Sequence, residues 1–295
     1  QTGLFDRLSK GTLSAKDLAS STGLYGPAVQ AWASAAESYG FVTKSDGKLE
    51  LAPQVAELLL DRSHPEYLGG QIAYLALRSL EFGKLAGLFK QGATHPIVSN
   101  FEAIEEATHW DHFAFLNAIR RNKSLDLLLR KGCRFLDVGC GTGTLIAKLL
   151  NEYPRTNFVG IDASRKAIGQ ARKLLGAKTF RLMKAEAMAF SNEFDIAYLG
   201  ESLYSAQNKQ KATDNCFRAL KKNGIIAVIE GLLPTSEIRA DENKLIMGMQ
   251  LDFALQGHRF LTSKEIQSIL KKSGFRSVRL KALGGAVYLI TARKQ

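Results

Sequence analysis

Between Arg134 and Thr144 the chain reads Arg-Phe-Leu-Asp-Val-Gly-Cys-Gly-Thr-Gly-Thr, and this stretch constrains the fold more than any other. Phe135, Leu136 and Val138 make a short apolar run of the kind found in a strand buried on both faces. Gly139, Gly141 and Gly143 then interrupt it at alternate positions, and Leu145-Ile146-Ala147-Lys148-Leu149-Leu150 resumes with helical character. Strand, glycine turn and helix in that order bring bare backbone amides close to a ligand at the carboxyl end of a sheet strand.

The frame of the glycines excludes two familiar loops. A dinucleotide loop, G-x-G-x-x-G, would need its third glycine at Thr144 or at Ile146, and a phosphate-binding loop would need Gly-Lys-Ser/Thr. What remains is Asp-Val-Gly-x-Gly-x-Gly, with the carboxylate of Asp137 inside the strand, two residues before the first glycine. A second apolar strand, Asn157 to Asp162, ends on an acid nineteen residues after Gly143. An acid at that tip can grip a ribose diol through two hydrogen bonds.

At this point the chain resembles the class I S-adenosylmethionine-dependent methyltransferases. Phe135 to Gly143 looks like their first motif and Asp162, followed by Ala163, like their ribose-binding acid. Met183-Lys184-Ala185-Glu186-Ala187 resembles the segment along the adenine, with Glu186 near the exocyclic amine. Phe194 to Gly200 and Glu201 resembles the fourth strand, opening onto the reaction site, and Lys222 to Glu230 the fifth with its turn. The resemblance covers roughly residues 132–295. It implies an α/β fold with a Rossmann-like seven-stranded sheet whose last strand is antiparallel. The implied cofactor is S-adenosylmethionine, leaving S-adenosylhomocysteine as product. The implied cofactor contacts are Asp137, Gly139, Gly141, Gly143, Asp162, Ala163, Ala185, Glu186, Ala187, Gly200 and Glu201.

A length of 295 residues points to two domains, and the longest apolar runs, such as Ile225 to Ile229, are far too short to span a bilayer. No charged, apolar, small-residue leader opens the chain. Cys133, Cys140 and Cys216 read as reduced, packed thiols of a cytoplasmic protein, and no metal-ligand spacing connects them.

Residues 1–60 carry their own pattern, a mostly α winged-helix domain. A helix starts at Leu4. Ser14 caps a second helix with Asp17 three residues on, and Gly26-Pro27 opens a third running to Tyr39. Gly40 to Lys44 and Lys48 to Leu51 flank an Asp46-Gly47 turn and form a hairpin. Winged helices often bind DNA, but fold does not imply function. This segment holds five Lys/Arg against six Asp/Glu, and the third helix has no basic residue. Phosphate backbones are bound through Lys and Arg, so nucleic acid is disfavoured here. Homodimerisation or closure of the pocket is the expected role, in agreement with the resemblance, since small-molecule O-methyltransferases often exchange such a domain across a dimer.

Residues 61–131 read as a helical connector that roofs the site, with a loop over Gly92 to Ser99 and a helix from Asn100 to Arg120. That helix offers His109, Trp110, His112 and Phe113. The two histidines lack further ligands for a metal. Beyond the fifth strand an insertion, Gly231 to Thr262, carries an apolar helix with Met247 and Phe253, where relatives place a substrate lid. Residues 132–295 hold the net charge, 26 Lys/Arg against 14 Asp/Glu, a solvated face or a surface for an acidic partner.

Which atom is methylated is narrowed by absences. Gly200-Glu201-Ser202-Leu203-Tyr204 stands where amino-methylating nucleic-acid enzymes of the family carry Asp/Asn-Pro-Pro-aromatic. Tyr204-Ser205-Ala206 stands where plant phenolic O-methyltransferases carry His-Asp-Trp. The base is therefore open among His258, His112 and Tyr204. Glu201 either favours the cationic donor or caps the next helix. The reading is methyl transfer to a small, apolar or aromatic metabolite, oxygen preferred, with His109, Trp110, Phe113, Met247 and Phe253 around the substrate. The alternatives are an RNA or protein methyltransferase using the basic domain, and a regulator that only senses the cofactor.

Overall fold

The computed structural model describes residues 2–64, 67–79, 85–91, 101–234, 243–284 and 286–295. It divides into two compact units, residues 1–78 and 79–295. The loop expected over Gly92 to Ser99, and part of the insertion after Gly231, lie outside the described residues.

The first unit opens with α1 (Leu4–Leu8), β1 (Leu13–Ser14), α2 (Ala15–Thr22) and α3 (Gly26–Ser38). Then come β2 (Val42–Ser45), β3 (Lys48–Leu51) and α4 (Pro53–Val55), continued by a wider helical turn over Ala56–Leu60. Ser14 Oγ accepts from Asp17 N–H at 3.1 Å, which stops the first orphan amides of α2 from losing a partner. Asp46 and Gly47 both have positive φ, the conformation a tight two-residue hairpin turn needs, and β1, β3 and β2 pair antiparallel. Leu18, Val29, Ala33, Val42 and Leu49 form the core, with Trp32 edge-on to Phe5 at 5.5 Å.

The connecting helices are α5 (Gly69–Ser79), α6 (Leu85–Gln91), α7 (Phe101–Arg121) and α8 (Lys123–Lys131). The second unit then alternates β4 (Arg134–Val138), α9 (Thr144–Glu152), β5 (Asn157–Asp162), α10 (Arg165–Leu175), β6 (Phe180–Leu182), β7 (Phe194–Gly200), α11 (Lys209–Ala219) and β8 (Leu220–Leu233). It closes with α12 (Asn243–Leu255), β9 (Leu261–Thr262), α13 (Ser263–Lys272), β10 (Arg276–Gly284) and β11 (Val287–Arg293). Seven strands run in the order β10-β11-β8-β7-β4-β5-β6, with β9 beside the far end of β8. The strands from β8 to β6 are parallel, and β11, last in the chain, lies antiparallel to both its neighbours. The α/β reading of the second unit is what the chain adopts.

Both faces of this sheet are buried, which is why its strands read as continuous apolar runs. Phe135, Tyr198, Ala227 and Ile229 pack with Phe115, Ile119, Leu145 and Leu149 on one face. Leu136, Val138, Leu199, Ile226 and Val228 pack with Leu203, Cys216 and Ile266 on the other. From β4 the chain steps to β5 and β6 in one direction, and from β7 to β8 in the other. The crevice therefore opens beyond the carboxyl ends of β4 and β7, where strand order reverses.

Candidate active site

A cavity of about 550 Å³ occupies that crevice, within the range of roughly 300–1,000 Å³ usual for small-molecule sites. Its floor is the loop after β4. Gly139 and Cys140 N–H both donate to Ile161 O, at 2.8 and 3.0 Å, and Gly143 N–H donates to Cys140 O at 2.9 Å. Gly141 N–H donates to Asp162 Oδ2 at 3.0 Å. Four amides expected to face a ligand are thus engaged within the protein. The loop is pinned to β5 and holds its shape that way, and it lines the cavity with Gly139, Cys140 and Gly141.

The three glycines serve different purposes. Gly139 has a positive φ of 86°, and a Cβ there would lie 2.5 Å from Ser202 Cβ. Ser202 is fixed by donating to Val138 O at 2.8 Å. Gly143, φ 82°, starts α9, and its Cβ would meet the Phe180 ring at 2.6 Å and Ala171 Cβ at 3.2 Å. Gly143 accordingly faces β6 and α10 and does not line the cavity. Gly141, φ 54°, has nothing within 4 Å of its missing Cβ and opens to the cavity.

Asp162 ends β5. Its Oδ1 accepts from Ser164 N–H at 2.7 Å and its Oδ2 from Gly141 N–H. An ionised carboxylate has about four acceptor positions, so each oxygen keeps one for a diol. Asp137, two per cent exposed, faces the same space, and burial with the nearby Asp162 charge pushes its carboxyl up to about 8. Ala163, Ala185 and Glu186 line the cavity farther along; Ala187 does not. Burial opposes ionisation of Glu186, but its own amide and those of Asn208 and Gln207 outweigh it and hold the group below its ordinary value. A cradle open at Gly141, a diol-ready acid at Asp162 and an acceptor at Glu186 fit the ribose and adenine of S-adenosylmethionine.

Glu201 follows Gly200 with a positive φ of 46°, uncommon for a residue with a side chain. Its Oε1 accepts from Gly231 N–H at 2.8 Å, so it does not cap the following turn. That is done by Glu230, whose Oε1 accepts from Leu203 N–H at 2.6 Å and Tyr204 N–H at 3.3 Å. Glu230 is fully buried, and burial pushes it up to about 8. The sequence reading missed it, although a carboxylate closing the run Ile225 to Ile229 was a visible signal. It also missed Asp111, on α7 and facing the cavity, which burial pushes up to about 7.

The remaining expected residues scatter. His112, Tyr204 and His258 line the cavity. Burial, Lys148 and His109 depress His112 to about 3, so it is a neutral wall rather than a base. Burial and the Lys209 charge also lower His258. His109 Nδ1 lies 3.1 Å from Lys148 Nζ, off the lining, and the Trp110 ring faces Gly284. Phe113 is off the lining too. Phe253 is buried behind Tyr204, whose ring it stacks at 4.4 Å, and Met247 is 52% exposed. A helix apolar on every side gives no clue to which methionine turns inward, and this one turns out.

Residues 129–274 match a family described as a methyltransferase domain. The chain is similar to malonyl-[acyl-carrier protein] O-methyltransferase of Geobacter sulfurreducens, 28% identical over 59% of this chain and 68% of that protein. It is also similar to demethylmenaquinone methyltransferase of Lactobacillus johnsonii, 25% identical over 64% and 90%. Among solved structures it resembles human N-acetylserotonin methyltransferase in complex with SAM, with a TM-score of 0.71, 18% identity and coverage of 99% and 91%. Mitomycin 7-O-methyltransferase MmcR gives 0.68, 18%, 100% and 92%. These last likenesses are of fold. With the site geometry, the family match identifies residues 129–274 as a methyltransferase domain whose crevice fits S-adenosylmethionine.

Proposed function

We propose that the protein methylates an oxygen of a small aromatic metabolite. The observation that carries this reading is the aromatic wall beyond the strand tips. Tyr204 and His258 line the cavity with their rings edge-on at 6.1 Å, and Phe253 and Phe260 back the Tyr204 ring at 4.4 and 5.9 Å. Offset and edge-on faces of this kind favour a flat ring. The O-methyltransferase names among the relatives support oxygen as the acceptor.

When bound, S-adenosylmethionine supplies a methyl group already activated by its sulfonium, which leaves the chain placement, water exclusion and proton removal. Asp162 holds the ribose, Gly139 and Gly141 admit the methionine end, and Glu186 meets the adenine. The remaining cofactor assignments, Asp137, Gly143, Ala163, Ala185, Ala187, Gly200 and Glu201, belong to the same frame. His258 takes the substrate proton. Its lowered proton affinity leaves the ring neutral at neutral pH, as a base requires. The backbone holds it too, since His258 N–H donates to Phe253 O at 2.8 Å.

The proposed organisation is a winged-helix module over 1–60, a roof over 61–131 and the catalytic domain over 132–295, in a cytoplasmic homodimer. Tyr25 and Tyr39, 76% and 78% exposed in the first unit, support its use as a contact surface. Light scattering on the intact chain tests the dimer. For the activity, protein is incubated with isotope-labelled methyl donor and matched phenols, anilines and thiols, and products are identified by mass. Methyl ethers are expected. Label appearing only in RNA or protein overturns the proposal.

A further inference from the structure

Several polar side chains of the cavity take no part in pinning the loop. Strand alternation puts Tyr198 of β7 on the same face as Phe135, stacked on Phe115 of α7 at 4.2 Å. Asp137 is its register partner on β4. Asp111 approaches from α7 and Glu201 from the tip of β7, and all four line the cavity. Tyr198 is 2% exposed, yet its hydroxyl has no hydrogen-bond partner. Gly200, two residues on, makes room for it, because a Cβ there would collide with the Tyr198 hydroxyl oxygen. Buried hydroxyls are usually paired, so an unpaired one at a cavity wall is a group waiting for a ligand.

The neighbouring carboxylates lack a partner of another kind, a positive charge. Among the described residues no lysine or arginine is paired with Asp111, Asp137 or Glu201. Burying several acids without a cation is costly, and a ligand that brings the positive charge relieves that cost. We propose that Asp111, Glu201 and the Tyr198 hydroxyl read positive charge, selecting the sulfonium donor over its neutral thioether product. The inference rests on the donor reading above and adds to it a device for product release: transfer of the methyl removes the charge these groups hold.

The protonation of the cluster supports the same conclusion. Asp111 is pushed up to about 7 by burial, and Glu201 is held well above its ordinary value by burial and by Glu230 and Asp111. Glu230 of β8, Tyr198 of β7, and Asp137 of β4 with Asp162 beyond it face the pair from the sheet. His112 and His109 of α7, with Lys148 of α9, stand on the helical side. Without a cation the two carboxyls keep protons near neutrality. A bound sulfonium displaces them, whereas a thioether does not, so only donor binding strengthens as pH rises.

Calorimetry on the intact protein with S-adenosylmethionine and S-adenosylhomocysteine at pH 6.5 and 8.5 tests this. Donor affinity should rise about tenfold between the two, and product affinity should change less than about twofold. Asp111→Asn and Glu201→Gln should each weaken the donor about tenfold and leave the product within about twofold. Tyr198→Phe, which keeps the ring stack, should weaken the donor selectively as well. Equal weakening of both ligands, which share the α-ammonium group, would overturn the proposal, as would no change in either. Binding of both ligands with no pH effect on the donor sinks the inference and spares the donor reading. Binding of neither by the wild-type protein sinks both.

Discussion

Replacing Gly143 and Gly141 by alanine, one at a time, separates the scaffold of the loop from its working surface. Both have positive φ, 82° and 54°, where a Cβ costs about 1–2 kcal/mol. At Gly143 the new methyl would also stand 2.6 Å from the Phe180 ring and 3.2 Å from Ala171 Cβ, groups packed in the sheet core. Overpacking of this sort adds about 1–3 kcal/mol. Gly143→Ala should therefore lose about 2–5 kcal/mol, a fall in Tm of roughly 5–15 °C. At Gly141 the methyl meets nothing, so stability should fall by only the conformational cost, about 1–2 kcal/mol. Its methyl would occupy cavity space, however, and binding of S-adenosylhomocysteine should weaken by at least about tenfold. Urea denaturation and calorimetry on the two variants check both halves. If Gly141→Ala proves as unstable as Gly143→Ala while binding the product normally, the assignment of roles to the loop glycines is wrong.

The other predictions are shorter. Asp111, Asp137 and Glu230 have folded-state pKa values of about 7, 8 and 8, above their unfolded values, so the folded chain binds more protons between about pH 4 and 8. Their contribution to stability is complete at the acid end of that window and is lost as pH rises through it. The urea midpoint of ligand-free protein should fall across the window, and Glu230→Gln should flatten the fall. Gly139→Ala should destabilise through Ser202, and Ser202→Gly in the same chain should recover part of that loss, a coupling read by a double-mutant cycle. His258→Asn should cut turnover at saturating donor by about 10²- to 10⁴-fold and remove an acid limb centred below pH 6.5. A limb unchanged in that variant would move the base elsewhere.

What could be read in the sequence was what depends on neighbours along the chain. The β4 loop announced itself because strand, alternate glycines and helix are contiguous, and Asp162 because it ends the next apolar run. Ser14 and its Asp17 were legible as a cap for the same reason. What could not be read depends on sheet order. Tyr198 meets Asp137 because β7 pairs with β4, and Asp111 joins them because α7 packs on that face. No spacing encodes that meeting. His112 resembled a base until the fold buried it and brought the Lys148 charge of α9 to bear on it. Glu201 looked able to cap the next turn, but the acceptor came from Glu230 on the neighbouring strand.

The central claim is that the methyl donor lies across the tips of β4 and β5 with its sugar on Asp162. Calorimetry with S-adenosylhomocysteine on wild-type protein and on Asp162→Ala tests it most directly. The account predicts saturable binding at one ligand per chain in the first, and at least about a hundredfold weaker binding in the second, where both a ligand contact and the pin on Gly141 are gone. Equal affinity in the two proteins would contradict it.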